Sequence, residues 1–284
     1  MTMMLEPARE WIAAQIRARV VGDDVGSAAA RIMAEPGPRW FPADSVLRLV
    51  HSDASMFVGG LRALLLQSLH PLAMAGVAEH SDYRRDPWGR LQRTADFLAT
   101  TTFGPASLAE QAVARVGSVH RRVVGTASDG RAYAANDPHL LLWVHIVETD
   151  SFLRAYERYG AQRLSRDQAD AYVNDSAFIA EKLGSESPPR SVAELRLALQ
   201  RFRPELAGTA AARRAARFLV LEPPLPLAAR APYALLASAA VSLLPAWTRL
   251  PLRLPYLPVS ETLLVRPAGD AITRLIRWSL QPQA

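Results

Sequence analysis

The sequence predicts an all-α fold, a single large helical domain. Apolar residues recur at spacings of three and four along most of the chain, strand-like alternation is rare and short, and the periodic runs open at capping residues followed by proline and close at glycine or proline. Half of the 284 residues are hydrophobic, ample for one extended core. At ordinary helix lengths this corresponds to about 10 to 13 helices.

The first amphipathic segment runs from about Pro7 to Val20, with Trp11, Ile12, Ile16 and Val20 on one side, and Gly22-Asp23-Asp24 is its predicted stop. Glu35-Pro36-Gly37-Pro38-Arg39-Trp40-Phe41-Pro42 reads as a loop that delivers Trp40 and Phe41 to the core, and Asp44 or Ser45 is placed to cap the next helix. A strongly apolar helix is expected from Gly60 to His70, ending there because a residue before proline is pushed out of helical geometry. Asp86-Pro87 opens a helix that continues to Phe103, in which Arg90, Arg93 and Thr94 stand at i, i+3 and i+4 and so share a face. After the Gly104-Pro105 break a helix is expected from Ser107 to Val124, with Val113, Val116, His120 and Val124 on one side and Gly125 as its stop. His120 then points toward the core. Asp137-Pro138 launches a helix through Trp143, His145 and Phe152 to about Tyr159.

Beyond Gly184-Ser185-Glu186-Ser187-Pro188-Pro189-Arg190 proline and alanine rise and histidine disappears. Three stretches follow: 1–44, an N-terminal helix and proline-rich loop; 45–184, the core that carries the chemistry; and 185–284, a helical region packing on that core. The apolar run Tyr233 to Leu244 is shorter than the roughly 20 residues a bilayer span needs, and reads as a buried helix or as a shallow membrane-surface contact.

The formal net charge of +6 does not point to nucleic acid, because the basic residues are scattered and no aromatic-interleaved basic strip is present. Lys182 is the single lysine. With no cysteine, disulfides and thiolate chemistry are excluded, which agrees with a reducing compartment; the start Met1-Thr2-Met3-Met4-Leu5-Glu6-Pro7 lacks the pattern of a secretory signal. The expectation is the cytoplasm, with membrane association left open.

All six histidines fall between His51 and His145, so a metal would have histidine and oxygen ligands only, drawn from the first half. No Gly-x-Ser-x-Gly elbow, phosphate-cradling glycine loop or dinucleotide fingerprint occurs. His139 and His145 are six apart, and His70 and His80 are ten apart across a proline, so a helical two-histidine metal pair is not expected. What remains is an imidazole on an apolar helix facing a helix with two arginines and a threonine. A haem b slot asks for that combination: a neutral imidazole for iron, apolar walls for the macrocycle, cationic and hydroxyl groups for propionates or oxygen. The alternative is a hydrogen-bonded core histidine with arginines in water, and on the residues alone both stay open.

The order and spacing of Arg90-x-x-Arg93-Thr94 and His120, with His70-Pro71, Gly76-Val77, His80-Ser81, Asp86-Pro87 and Asp137-Pro138 around them, resembles the haem oxygenases grouped with the latex-clearing protein and the fungal MpaB oxygenase. The likeness runs from about Phe41 to Gly160. It implies an all-helical fold and a b-type haem whose iron is held by His120, the runner-up being His145. It further implies polar roles in the haem pocket for Arg90, Arg93 and Thr94, and oxygen-dependent cleavage of a carbon–carbon double bond. His70 is expected as a second pocket residue, whereas His51 and His139 are expected to be peripheral. Arg93 stands where rubber-cleaving members carry a lysine able to reach the iron, and a guanidinium that stays protonated cannot do so. The acidic base of rubber cleavage has no counterpart, because Glu79 and Asp82 stand too near Arg90 and Met74 occupies the matching offset. The implied function is a haem b-dependent oxygenase acting with O2 on a lipophilic, unsaturated isoprenoid or lipid. Two competing readings are a non-enzymatic haem sensor or carrier, and a cofactor-free helical protein docking on membranes through 233–244.

Overall fold

The computed structural model describes residues 2–20, 32, 34–81 and 83–280. Among the described residues the chain is helical almost throughout, with one two-stranded antiparallel ribbon. The predicted stop at Gly22-Asp23-Asp24 and the Asp82 position lie outside the described residues.

Helix α1 (Thr2–Val20) starts earlier than Pro7 suggested, so this proline stands in its second turn. Ser45 caps α2 (Val46–His51), its hydroxyl accepting from Arg48 N at 3.4 Å. The upstream loop brings Phe41 into the core with Trp40 packed against it, as its composition predicts. Helix α3 (Met56–Gln67) turns sharply into α4 (Pro71–His80), where His70 is the N-cap and Pro71 the first helical residue. The same cap-plus-proline device starts α5 (Pro87–Phe103) at Asp86 and α7 (Pro138–Tyr159) at Asp137. Between them, α6 (Ala106–His120) ends short of the expected Val124: Val124 and Gly125 belong to strand β1 (Val124–Thr126), which pairs with β2 (Ala132–Ala134) in the register Val124↔Ala134. Gly125 is therefore not a helix stop. Its missing side chain makes room for Tyr133, whose hydroxyl would lie 2.5 Å from a Cβ there.

Helix α8 (Arg166–Leu183) opens with a full capping box, Ser165 with Gln168, and closes at Gly184 with φ +97°, the left-handed cap that glycine adopts without strain. Helix α9 (Val192–Phe202) and a 3₁₀ turn (Arg203–Glu205) lead to α10 (Ala210–Leu221), α11 (Leu227–Ser242) and α12 (Ala246–Leu252). A π turn (Glu261–Val265) then runs into α13 (Arg266–Leu280).

The core forms around the pairing of α3 with α7, whose close approach depends on Gly59: a Cβ there would sit 2.7 Å from Phe152 Cδ1 and 3.2 Å from the Ser151 carbonyl. One buried ion pair lies in this seam. Arg62 reaches Asp150 at 2.7 Å and also donates to Ser151 Oγ at 2.7 Å and to the Leu243 carbonyl at 3.0 Å, so nearly all of its polarity is satisfied. The main hydrophobic cluster runs from Phe41 through Trp143, Tyr156 and Tyr172 to Phe202, Ala216 and Leu252, joining residues on both sides of 184–190. Helix α13 is fastened to the start of α3 by Arg277, which donates to both Asp53 oxygens at 2.9 Å.

No single described helix is long and apolar enough to cross a membrane; α3 and α4 pass such a test only together, across a 106° bend. Within 233–244, Ala237, Ala239, Ala240 and Val241 are buried against the protein. Large exposed apolar side chains lie on both sides of this segment, at Leu221, Leu227, Leu250, Leu257, Val259, Leu263 and Leu264, and Leu235 within it is exposed too.

Candidate functional site

Four elements converge beside the α3–α7 seam. The end of α4 meets the start of α5 where Arg90 Nη1 donates to Ser81 Oγ at 3.0 Å. The end of α6 returns to α4 through Val123, whose Cγ1 lies 3.6 Å from where a Gly76 Cβ would be. Tyr133 of β2 fastens the ribbon to the same helix, donating to Glu79 at 2.5 Å and contacting His80 Nε2 at 3.1 Å. Helix α7 reaches this junction through Leu140, which packs with Tyr133 and Val123, and through Glu148, which feels the Arg90 charge; His145 lies one turn before Glu148.

His145 is the most unusual side chain of the group. Among the described residues its Nε2 is buried with no hydrogen-bond partner, and its Nδ1 has only Thr149 Oγ1, at 3.4 Å. Burial lowers its pKa from 6.5 to about 4, so the ring is neutral at physiological pH. A buried, uncharged imidazole with one nitrogen anchored and the other unsatisfied is costly as a packing element, and it is the form in which histidine ligates a metal. His120, at the end of α6, is half-buried, and burial lowers its pKa as well. The helix ends at His120 itself, one turn beyond Val116.

Glu148 adds a titratable group that sequence reasoning missed. Burial raises its pKa from 4.5 to about 7 against the opposing pull of the Gln67 hydrogen bond, 3.1 Å, and of the Arg90 charge. Burial likewise pulls the Arg90 guanidinium below its usual value, with Glu148 among the charges that restore it. A carboxyl poised near neutrality beside a buried cation can hold or release a proton under ordinary conditions. No motif announced it: Glu148 follows His145 at i+3, just past the apolar stretch Leu140–Val147 that His145 interrupts, and that spacing was the available signal.

Arg93 and Thr94 do not join Arg90 on an inward face. Arg93 is exposed and pairs with Asp86 at 3.3 Å, and Thr94 is exposed with its hydroxyl donated back to the Arg90 carbonyl at 3.1 Å. The principal packing of α5 is against α1, α2 and α6, which leaves the side carrying Arg93 and Thr94 to solvent. His70 is buried, but its imidazole is turned away toward Glu205 Oε2 at 3.4 Å and packs near Trp143 and Phe202. His51 is no peripheral residue. It is a core histidine bonded to Thr102 Oγ1 at 2.8 Å and Tyr172 OH at 3.3 Å, and burial lowers its pKa to about 4.

Compared with known families, residues 47–278 match the model described as "ER-bound oxygenase mpaB/B'/Rubber oxygenase, catalytic domain". The chain belongs to this family. It is therefore an oxygenase catalytic domain, an oxidoreductase, and the match extends well beyond Gly160 into the C-terminal helices. Nothing among curated proteins and nothing among solved structures matches it.

Proposed function

We propose that this oxygenase is haem b-dependent and acts with O2 on a lipophilic, unsaturated small molecule of the isoprenoid or lipid class. The observation that carries the reading is the buried Nε2 of His145 on α7, which has no hydrogen-bond partner among the described residues, whereas most buried polar atoms have one. The residues fit haem in kind: two neutral imidazoles, His120 and His145, a buried cation in Arg90, and apolar walls from α4 and the Phe97–Leu98 stretch of α5.

The family resemblance assigns the iron to His120. The orphaned Nε2 favours a second reading in which His145 is the ligand, with Thr149 orienting its Nδ1. Bound haem would supply the dioxygen chemistry that cleaves a carbon–carbon double bond. Arg90 would balance a propionate or oxygen-derived negative charge, and Glu148, one turn from His145, would hold the proton that the product oxygen or a water needs. Arg93 and Thr94, on the solvent side of α5, would meet whatever enters along that helix. His70 has no part in this reading. The non-catalytic carrier and the cofactor-free docking protein both fit poorly with membership of an oxygenase catalytic-domain family. If the substrate is drawn from a membrane, the exposed apolar side chains placed to touch it include Leu257, Leu263 and Leu264, with Leu235 of the 233–244 segment.

The test is a pyridine haemochrome assay and Soret spectrum of wild type, His120→Ala and His145→Ala. Near-stoichiometric haem lost in one variant only identifies the iron ligand and leaves the other histidine as a pocket residue. A colourless wild type that haemin cannot reconstitute refutes the haem reading.

A further inference from the structure

We propose that His70, His139 and Glu205 form a mononuclear site for a divalent transition-metal ion of the zinc class, independent of the haem reading. Three segments distant in sequence meet there: the α3–α4 corner, the first turn of α7 and the 3₁₀ turn after α9. Each offers one donor atom, and the three donors all lie within 4.8 Å of one another. His139 Nε2 is 2.8 Å from Glu205 Oε2, and His70 Nε2 is 3.4 Å from the same oxygen. A tetrahedral zinc with bonds of about 2.1 Å separates its ligands by roughly 3.4 Å, so an ion enters with side-chain shifts well under an ångström for those two pairs.

The donors are held before any ion arrives. His70 is locked by its N-cap position against Trp143 and Phe202, and the His139 ring stacks on Phe202 with centroids 4.5 Å apart and planes 26° from parallel. The turn bearing Glu205 is tied to the α3–α4 corner by Ala207 N donating to the Leu69 carbonyl at 2.8 Å. Two imidazoles and a carboxylate are a zinc-type donor set that leaves a fourth position open. That position faces solvent, since the His139 and Glu205 side chains are 52% and 39% exposed, against 2% for His70. Coordination through His70 Nε2 puts the proton on Nδ1 and releases the Ala73 N–H from a contact of 3.5 Å, at the limit of a hydrogen bond, so little is lost. Arg131 is the cation that acts against an ion here, and its guanidinium is engaged by Asp129 at 2.9 and 2.8 Å. The bound ion would tie α4, α7 and the segment after α9 together.

Calorimetric titration of Zn²⁺ into the chelator-stripped full chain at pH 7.5, at fixed haem content, tests the site. One ion per chain is expected, with His139→Ala and Glu205→Gln each weakening binding at least tenfold while circular dichroism and haem content stay at wild-type values. Both positions are exposed, so the variants should fold. As a second readout, Zn²⁺ should raise the wild-type melting temperature and leave both variants unmoved. Absence of stoichiometric uptake overturns the proposal, as does uptake that survives both substitutions or depends on His120 or His145 instead.

Discussion

Replacing Glu148 with glutamine should make the protein more stable above neutrality and change the shape of its pH–stability curve. Burial raises the Glu148 pKa from 4.5 to about 7. Below pH 4.5 the carboxyl is protonated in folded and unfolded chains alike. Between 4.5 and 7 the unfolded chain releases the proton that the native state keeps, so the native state binds more protons and stability falls as pH rises; above 7 the loss is constant. A shift of about 2.5 units at about 1.4 kcal/mol per unit bounds the effect at about 3.5 kcal/mol, and partial solvent access to the side chain brings it to about 2 kcal/mol. Glutamine keeps the shape and can still pair with Gln67, but carries no proton to lose. Urea unfolding of both proteins at pH 5, 6, 7 and 8, at constant ionic strength and matched haem content, should show a stability difference that is small at pH 5 and grows by about 2 kcal/mol in favour of glutamine by pH 8. The buried histidines titrate equally in both proteins and cancel. A difference that is flat with pH, or a variant less stable than wild type at pH 8, would refute the reasoning, the latter because it would mean that ionised Glu148 and Arg90 stabilise one another more than burial costs.

His51 works in the opposite sense: its folded pKa of about 4 lies below the unfolded 6.5, so its contribution is complete above 6.5 and is lost as pH falls toward 4. His51→Gln should flatten the acid limb of a melting-temperature profile by about one proton, and an unchanged limb would show that the ring is not desolvated as described. Arg62→Met leaves Asp150 buried, with Arg154 as its remaining ion-pair partner at 3.4 Å, and should cost about 3–5 kcal/mol in urea unfolding. Adding Asp150→Asn should recover part of that loss, and a single-variant cost under about 1 kcal/mol would count against the buried pair. Gly59→Ala pushes a Cβ into Phe152 and the Ser151 carbonyl, and a loss of about 1–3 kcal/mol is expected, whereas a neutral result would mean that α3 and α7 are less tightly packed than the geometry requires.

The family match reaches residue 278, whereas the recognisable motifs stop near Gly160, because the C-terminal helices take part through packing, which tolerates many sequences. Helix starts were the most legible feature. Ser45, Asp86 and Asp137 were readable as caps because capping is a local contest between a side chain and the first free N–H groups. The end of α6 was not. The run from Val113 to Val124 keeps helical spacing, yet the chain leaves the helix at His120 so that β1 can pair with β2 against α4, a gain that appears only when distant residues meet.

The same division governs the site. By itself the sequence determined an all-α scaffold, the oxygenase resemblance, and a shortlist of imidazoles and arginines confined to the first half, since periodicity, capping and residue type are properties of short stretches. Only the tertiary structure decided which of these side chains lost their water: His145 with its unsatisfied nitrogen, Arg90 drawn in while Arg93 and Thr94 stayed out, Glu148 raised to neutrality, and His70 turned to Glu205, 135 residues away. Desolvation and through-space partners set the charge and reactivity of each group, and both depend on how distant helices pack.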